Sequence, residues 1–409
     1  MKLSLNIQIF IGSIFGVLFG LLLNVLGSDH LFFTKTVYIL ATVGDCFIAM
    51  LKMILIPLVF TSITVGIANL RAHAQMGRVW KLSLLYYMST TALAIILGLI
   101  AVNIFKPGLG LEINMFKDAM VTTNIQSLTP VQFIDNFLQN IFINPFNAMA
   151  NGQVVPTIVF AIFLGIALVK YDNQKSNIVL NFFNEFFDLI MMIVGWIMKI
   201  LPIGLFALLA ELVATQDASL FAALGKFILV VVGATLFHGF ITLPLLLKIF
   251  TGMSLPKYYA GVREALVTAF STSSSAATLP VTYNCVKNNL GVDKDVAGFV
   301  LPLGATINMD GTAMYEAIAV IFIANLVGIE LSIVQQLIVF LMAILASVGA
   351  PGIPSAGMVT MVMVLQAVGL PAEAIAILLP IDRLLDAVRT MVNVKGDTIG
   401  SIIVNKYTS

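Results

Sequence analysis

Long apolar runs recur along the chain. Ile7–Leu26, Ile54–Leu70, Leu84–Val102 and Phe227–Leu247 are each long enough to cross about 30 Å of hydrocarbon as a helix. The pattern predicts membrane helices at about 5–26, 36–70, 79–106, 153–170, 177–213 and 219–250. Residues 107–152 are mixed, with Pro, Asn and Gly breaks, and read as an extracytoplasmic loop followed by a broken entry into the fourth helix. The first run starts near Leu5 and shows no A-x-A-like cleavage site, so it reads as a retained helix rather than a signal peptide.

The C-terminal part follows a different pattern. Residues 255–287 and 330–366 are apolar, but each is interrupted midway: the first at Ser271–Pro280 (STSSSAATLP), the second at Gly349–Gly357 (GAPGIPSAG). Backbone groups freed at membrane depth need protein or water as partners. Helical hairpins that dip into the membrane and return meet that need; kinked spanning helices are the other arrangement. Each interrupted segment precedes a long helix with polar residues, about 294–326 and about 371–405. Corresponding broken segments in two halves point to a transporter site near the midplane. The expected fold is an all-α polytopic membrane protein of inverted repeats, with eight transmembrane helices and two re-entrant helical hairpins.

Composition agrees. The chain of 409 residues is 60% hydrophobic and 10% charged, with mean hydropathy +1.04, where a soluble domain carries about a quarter charged residues. A net charge of +1 and the lack of a basic stripe argue against nucleic acid. With the N-terminus cytoplasmic, the first hairpin entering from inside and the second from outside, most Lys and Arg fall on inside segments. Lys35, Lys106 and Lys117 remain outside, beside Asp29, Glu112 and Asp118. Both termini then lie in the cytoplasm. Cys46 and Cys285 are isolated and read as small buried hydrophobes. His30, His73 and His238 are scattered and read as structural or surface residues.

The last helix holds the candidate chemistry. Asp382, Asp386, Arg389, Asn393 and Asp397 fall within an arc of about 80° on a helical wheel. Each ionised group at a bilayer centre costs about 2.5–3.5 kcal/mol, so this stripe cannot face lipid. Asp386 and Arg389 read either as a satisfied buried ion pair or, beside Thr390, as a zwitterion reader: guanidinium for a carboxylate, aspartate for an ammonium. Arg383 and Lys395 lie off that face and read as structural or interfacial, not substrate-binding.

Asn308-Met309-Asp310-Gly311-Thr312 interrupts the preceding long helix. There the chain can unwind and offer oxygen ligands to small cations, with Asp397 as a second carboxylate. Glu316 lies one turn beyond Thr312 and reads as a proton carrier or as the partner of a buried cation. Tyr87, Thr90 and Thr91 form a hydroxyl cluster that by itself reads as helix packing rather than as a site.

Taken in order, STSSSAATLP, NMDGTAMYEA, SVGAPGIPSAGMVTM and DAVRTMVNVKGD resemble the dicarboxylate/amino acid:cation symporter family, the glutamate transporters, over essentially the whole chain. The resemblance is to a bacterial-type member and implies a homotrimer in the cell inner (plasma) membrane. It implies a scaffold of 1–78 and 107–216 and a transport domain of 79–106 and 217–409 that moves as a unit. It implies that Asp386 holds the substrate ammonium and Arg389 its side-chain carboxylate. Ser273, Ser274, Ser275, Thr312, Thr390 and Asn393 would complete the substrate site, with Gly352, Ile353 and Gly357 at the gating second hairpin.

For sodium the resemblance implies Tyr87, Thr90, Thr91, Asn308, Asp310 and Asp397, with backbone groups of Gly304, Thr306, Met309, Ser347, Val348, Ala350 and Asn393. Glu316 matches the position of proton-coupled members. Relatives carry an accessory Arg where this chain has Ser273 or Ala387, and a small residue where it has Pro351.

The expected function is symport of L-glutamate and L-aspartate with sodium and protons, with no cofactor beyond the co-transported ions and no enzymatic step. C4-dicarboxylate or neutral amino acid symport, or coupling to protons alone, are the alternatives within the fold. A gated channel would also use hairpins and an acidic stripe. An intramembrane serine hydrolase would need a G-x-S-x-G elbow, which the run Ser271–Ser275 lacks.

Overall fold

The structure, a computed structural model, describes residues 5–27, 31–69, 77–111, 142–171, 174–216, 218–349 and 355–408. The described residues form helices and turns. In chain order the first six are α1 (Leu5–Leu26), α2 (Leu31–Asn69), α3 (Gly77–Phe105), the short α4 (Pro145–Ala150), α5 (Val154–Lys170) and α6 (Gln174–Thr215). A π-helical turn, His238–Thr242, joins α7 (Ala218–Phe237) to α8 (Leu243–Thr251). Then come α9 (Leu255–Thr272), α10 (Ser275–Asn284), α11 (Lys294–Ile307) and α12 (Asp310–Leu326). The last three are α13 (Ile333–Gly349), α14 (Ala356–Ala367) and α15 (Leu379–Thr408), with a 3₁₀ turn at Ala372–Ile377 before α15.

Among the described residues, six stretches are long and apolar enough to cross a membrane: Ile7–Leu26, Phe32–Ala68, Gly77–Phe105, Ile178–Thr215, Ser219–Thr251 and Lys294–Leu326. The expected eight include two more, and both have a physical reason to fall short. Helix α5 is brief, with its apolar stretch at Pro156–Lys170. Helix α15 runs 30 residues, about 45 Å, but carries the charged stripe that lowers its hydropathy.

Two helix groups emerge. In the first, α1, α2 and α5 pack around or beside α6. The α1 face Gly12, Gly16 and Gly20 lies so close to α6 that added Cβ atoms would sit 2.6, 2.8 and 2.7 Å from the carbonyl oxygens of Pro202, Phe206 and Ala210. Such small-residue seams let membrane helices approach closely where lipid offers no hydrophobic driving force. The second group holds α3 and α7 through α15, centred on α12, where every residue from Asp310 to Leu326 is buried.

Both interrupted segments fold back on themselves, α9 against α10 and α13 against α14. The first break is narrower than the Ser271–Pro280 span expected. It is confined to Ser273 and Ser274, because Ser274 Oγ accepts from the Ala277 N–H and restarts the helix, which then continues through Pro280. Ser273 (φ 50°) and Ser355 (φ 59°) are two of three non-glycine residues with positive φ among the described residues. Both stand at hairpin turns. Left-handed backbone is costly for a side chain and concentrates at gates and binding sites. Cys285 is buried, whereas Cys46 is exposed on an outer face of α2, against the expectation of burial.

Candidate functional site

The site is built where helices are broken or distorted. Between α11 and α12 the chain leaves helical geometry at Asn308 (φ −89°, ψ 81°) and Met309 (φ −112°, ψ 48°). The gap lets Asn393 of α15 cap the new helix: its Oδ1 accepts from the Gly311 N–H at 2.7 Å. A Cβ on Gly311 would lie 2.7 Å from the Arg389 carbonyl oxygen, so only glycine permits this approach of α12 to α15.

Arg389 is fully buried. Its Nη2 donates to Asp382 Oδ1 at 2.7 Å and to Asp386 Oδ1 at 3.0 Å, and its guanidinium stacks 3.9 Å from the Tyr315 ring centre. Nε and Nη1 have no hydrogen-bond partner among the described residues, nor has Asp382 Oδ2. Arginine offers five N–H donors in a rigid fork, and unmet donors at zero exposure are costly. This guanidinium is therefore oriented and neutralised by two acids yet keeps donors for another acceptor. The remaining oxygen of Asp386, Oδ2, accepts from the Ser355 backbone N–H at 2.8 Å, which brings the second hairpin onto the stripe. Gly357 adds to that contact, since a Cβ there would meet Thr312 Cγ2 at 2.8 Å.

Thr390, Asn393 and Thr312 are buried alongside, and Asn393 Nδ2 donates to Thr312 Oγ1 at 3.3 Å and to Met309 Sδ at 3.3 Å. Ser273, Ser274 and Ser275 are also buried, at the turn of the first hairpin. Gly352, Ile353 and Ala350, with Pro351, lie outside the described residues.

Next to this cluster lies an oxygen-rich one. Asp310 Oδ1 accepts from Thr91 Oγ1 at 2.7 Å and Thr90 Oγ1 at 3.3 Å, while Thr90 also reaches Asn308 Oδ1 at 3.4 Å. Asn308 Nδ2 donates to Asp397 Oδ1 at 2.8 Å and to the Asn393 carbonyl at 3.2 Å. The Tyr87 hydroxyl donates to the Val300 carbonyl at 2.9 Å.

Thus α3, the α11–α12 break and α15 meet through two carboxylates, an amide, hydroxyls and opened backbone. Such a donor set suits a hard monovalent cation. Among the described residues there is no group of three or more His, Cys, Asp and Glu fit for a transition metal. Ser347 and Thr306 turn their hydroxyls onto the carbonyls of Ile344 and Leu303, and Val348 is half-buried beside Ser347.

Glu316 sits two turns into α12 with zero exposure. Its Oε1 accepts from the Thr360 hydroxyl of α14, and Oε2 has no partner among the described residues. No cation is paired with it there.

Several participants went unassigned from sequence. Asp382 is the shortest partner of Arg389, although the stripe spacing already included it. Tyr315 and Thr360 gave no polar signal in apolar runs. His238, expected to be structural or superficial, has zero exposure and places Nε2 3.1 Å from Asp310 Oδ2. The π-helical turn beginning at His238 precedes Pro244, whose missing N–H is the sequence sign of a local distortion. Arg383 lies off the stripe by angle, but its long side chain brings Nη1 to 3.6 Å from Asp386 Oδ2.

Comparison with known sequences points the same way. The sodium:dicarboxylate symporter family profile matches residues 5–407. Excitatory amino acid transporter 3 of Mus musculus is 34% identical, with 98% of this chain and 86% of that protein covered. Excitatory amino acid transporter 2 of Homo sapiens is 37% identical, covering 98% and 78%. An excitatory amino acid transporter of Caenorhabditis elegans is 36% identical, covering 89% and 80%.

Proposed function

The chain belongs to the sodium:dicarboxylate symporter family, and from that premise we propose that it carries acidic amino acids, L-glutamate and L-aspartate, into the cell with sodium and protons. The observation that carries this reading is the buried Arg389, whose Nε and Nη1 lack hydrogen-bond partners among the described residues beside the Asp386 carboxylate. An acidic amino acid offers what this pair needs: a carboxylate for the guanidinium and an ammonium for the aspartate. The relatives named above are excitatory amino acid transporters, which supports the same substrate class.

Sodium would bind among Asp310, Asn308, Thr90, Thr91 and Tyr87, and beside Asp397. Glu316 would carry the proton, since it is buried, has no ion pair among the described residues and touches the second hairpin through Thr360. Packing supports a division into a scaffold of α1, α2, α5 and α6 and a moving body of α3 and α7–α15. The second hairpin would serve as the gate, a reading supported by the hydrogen bond from the Ser355 N–H to Asp386. We further propose a homotrimer in the inner (plasma) membrane with both termini cytoplasmic.

The test is uptake of radiolabelled L-aspartate and L-glutamate into proteoliposomes under a sodium gradient, a proton gradient, both or neither. Accumulation that requires sodium and grows with the proton gradient is the expected result. Uptake on protons alone would remove the sodium roles of Asp310 and Asp397, and no uptake would remove the substrate reading.

A further inference from the structure

Asp386 is approached from three sides. Arg389 holds Oδ1 at 3.0 Å, and the Ser355 N–H holds Oδ2 at 2.8 Å. Arg383 comes to the same Oδ2 with Nη1 at 3.6 Å. The two guanidiniums are not equivalent. The side chain of Arg389 is sealed, whereas that of Arg383 is 18% exposed and lines a small cavity between the two helix groups. Asp382 and Met358 border that cavity on one side, Leu51 and Met198 on the other.

The ionised groups here balance, Arg383 and Arg389 against Asp382 and Asp386. An acidic amino acid adds a single net negative charge, and its ammonium needs a carboxylate. A four-carbon dicarboxylate adds two negative charges and no ammonium, so it would face Asp386 with nothing of its own to neutralise it. Arg383 provides from the protein the cation that such a ligand lacks. Its reach also explains why a side chain off the stripe bears on the site: three residues apart on one helix, the Arg383 stem spans to Asp386.

We propose that Arg383 is a specificity-determining residue, whose pairing with Asp386 lets the site accept four-carbon dicarboxylates alongside acidic amino acids. This rests on the reading of Asp386 as the partner of the substrate ammonium. Without Arg383, Asp386 is left to the substrate: aspartate binding holds or tightens, while a dicarboxylate meets an uncompensated carboxylate.

The experiment measures sodium-dependent binding of L-aspartate and succinate by the full-length protein in proteoliposomes, for the wild type, Arg383→Ala, Arg383→Gln and Arg383→Lys. The ratio of succinate to aspartate Kd is expected to rise about tenfold or more in the Ala and Gln variants, because a dianion feels a removed charge more than a monoanion. Arg383→Lys, which keeps the charge, is expected to restore the wild-type ratio. A merely structural role would weaken both ligands together.

An unchanged ratio with aspartate binding intact overturns the role of Arg383 and leaves the site reading standing. A wild type that binds aspartate but shows no succinate binding overturns it as well. A wild type that binds no aspartate removes the reading of Asp386, and the Arg383 proposal with it.

Discussion

Gly304 and Asp397 meet without room for a methyl group: a Cβ on Gly304 would lie 2.3 Å from Asp397 Oδ1. The same added Cβ would lie 2.6 Å from the Tyr87 hydroxyl. The glycine thus fixes how closely α11 can approach the carboxylate at the core of the oxygen cluster.

Gly304→Ala is predicted to push Asp397 or Tyr87 aside at an overpacking cost of about 1–3 kcal/mol. The sodium concentration for half-maximal aspartate uptake should rise about tenfold. Gly298→Ala on the same helix is the control, since a Cβ there meets only Tyr283, at 4.0 Å. Equal sodium titrations for the two variants would exclude a cation role for this contact.

Arg389→Ala is predicted to abolish aspartate binding. It also leaves Asp382 and Asp386 buried without their cation, a loss of about 3–5 kcal/mol for a broken buried pair. The melting temperature should therefore fall. Asp382→Asn in the same background should recover part of the stability and none of the binding. Aspartate affinity retained by Arg389→Ala would sink the substrate role outright.

Glu316→Gln keeps the shape and the contact with Thr360 but cannot take up a proton. Sodium-driven aspartate uptake is predicted to persist while stimulation by an inward proton gradient disappears. The readout is uptake against external pH at fixed sodium: the wild type declines as protons become scarce, and the variant is flat. A variant profile as steep as that of the wild type would place the proton elsewhere.

His238→Leu removes the Nε2 contact on Asp310 Oδ2, and His238→Gln retains a donor of similar reach. The Leu variant is predicted to need about tenfold more sodium for uptake, a loss of the size of a buried hydrogen bond to a charged group. The Gln variant should stay near wild type. If both variants match the wild type, Asp310 is oriented by Thr91 and Thr90 alone.

The fold was legible because lipid demands long apolar runs and punishes every interruption. The boundaries expected at 5–26 and 153–170 fall within a residue of α1 and α5, and the unwinding at Asn308-Met309 stands where the NMDGT run placed it. The stripe on α15 was legible for the same reason: Arg389 and its acids cannot face hydrocarbon.

What stayed hidden depended on contacts between segments far apart in the chain. Thr360 meets Glu316 and His238 meets Asp310 only after α14 and α7 pack on α12, and neither spacing carries that information. The exact turn of the first hairpin was hidden as well, since a serine run offers several equivalent caps and only Ser274 is used. The contact of Arg383 with Asp386 was also hidden, because its reach exceeds the arc between neighbouring positions.

Every residue of helix α12 from Asp310 to Leu326 is buried within the protein. The end of that helix that carries the candidate ligands is thereby enclosed by protein, while α1 and α6 expose Phe10, Phe15, Leu189 and Trp196 on their outer faces. Changing acyl-chain thickness or sterol content should then alter turnover number and leave equilibrium affinities for solute and ions nearly constant. The same separation confines lipid-borne regulation to the speed of the carrier and frees its selectivity from the membrane in which it sits.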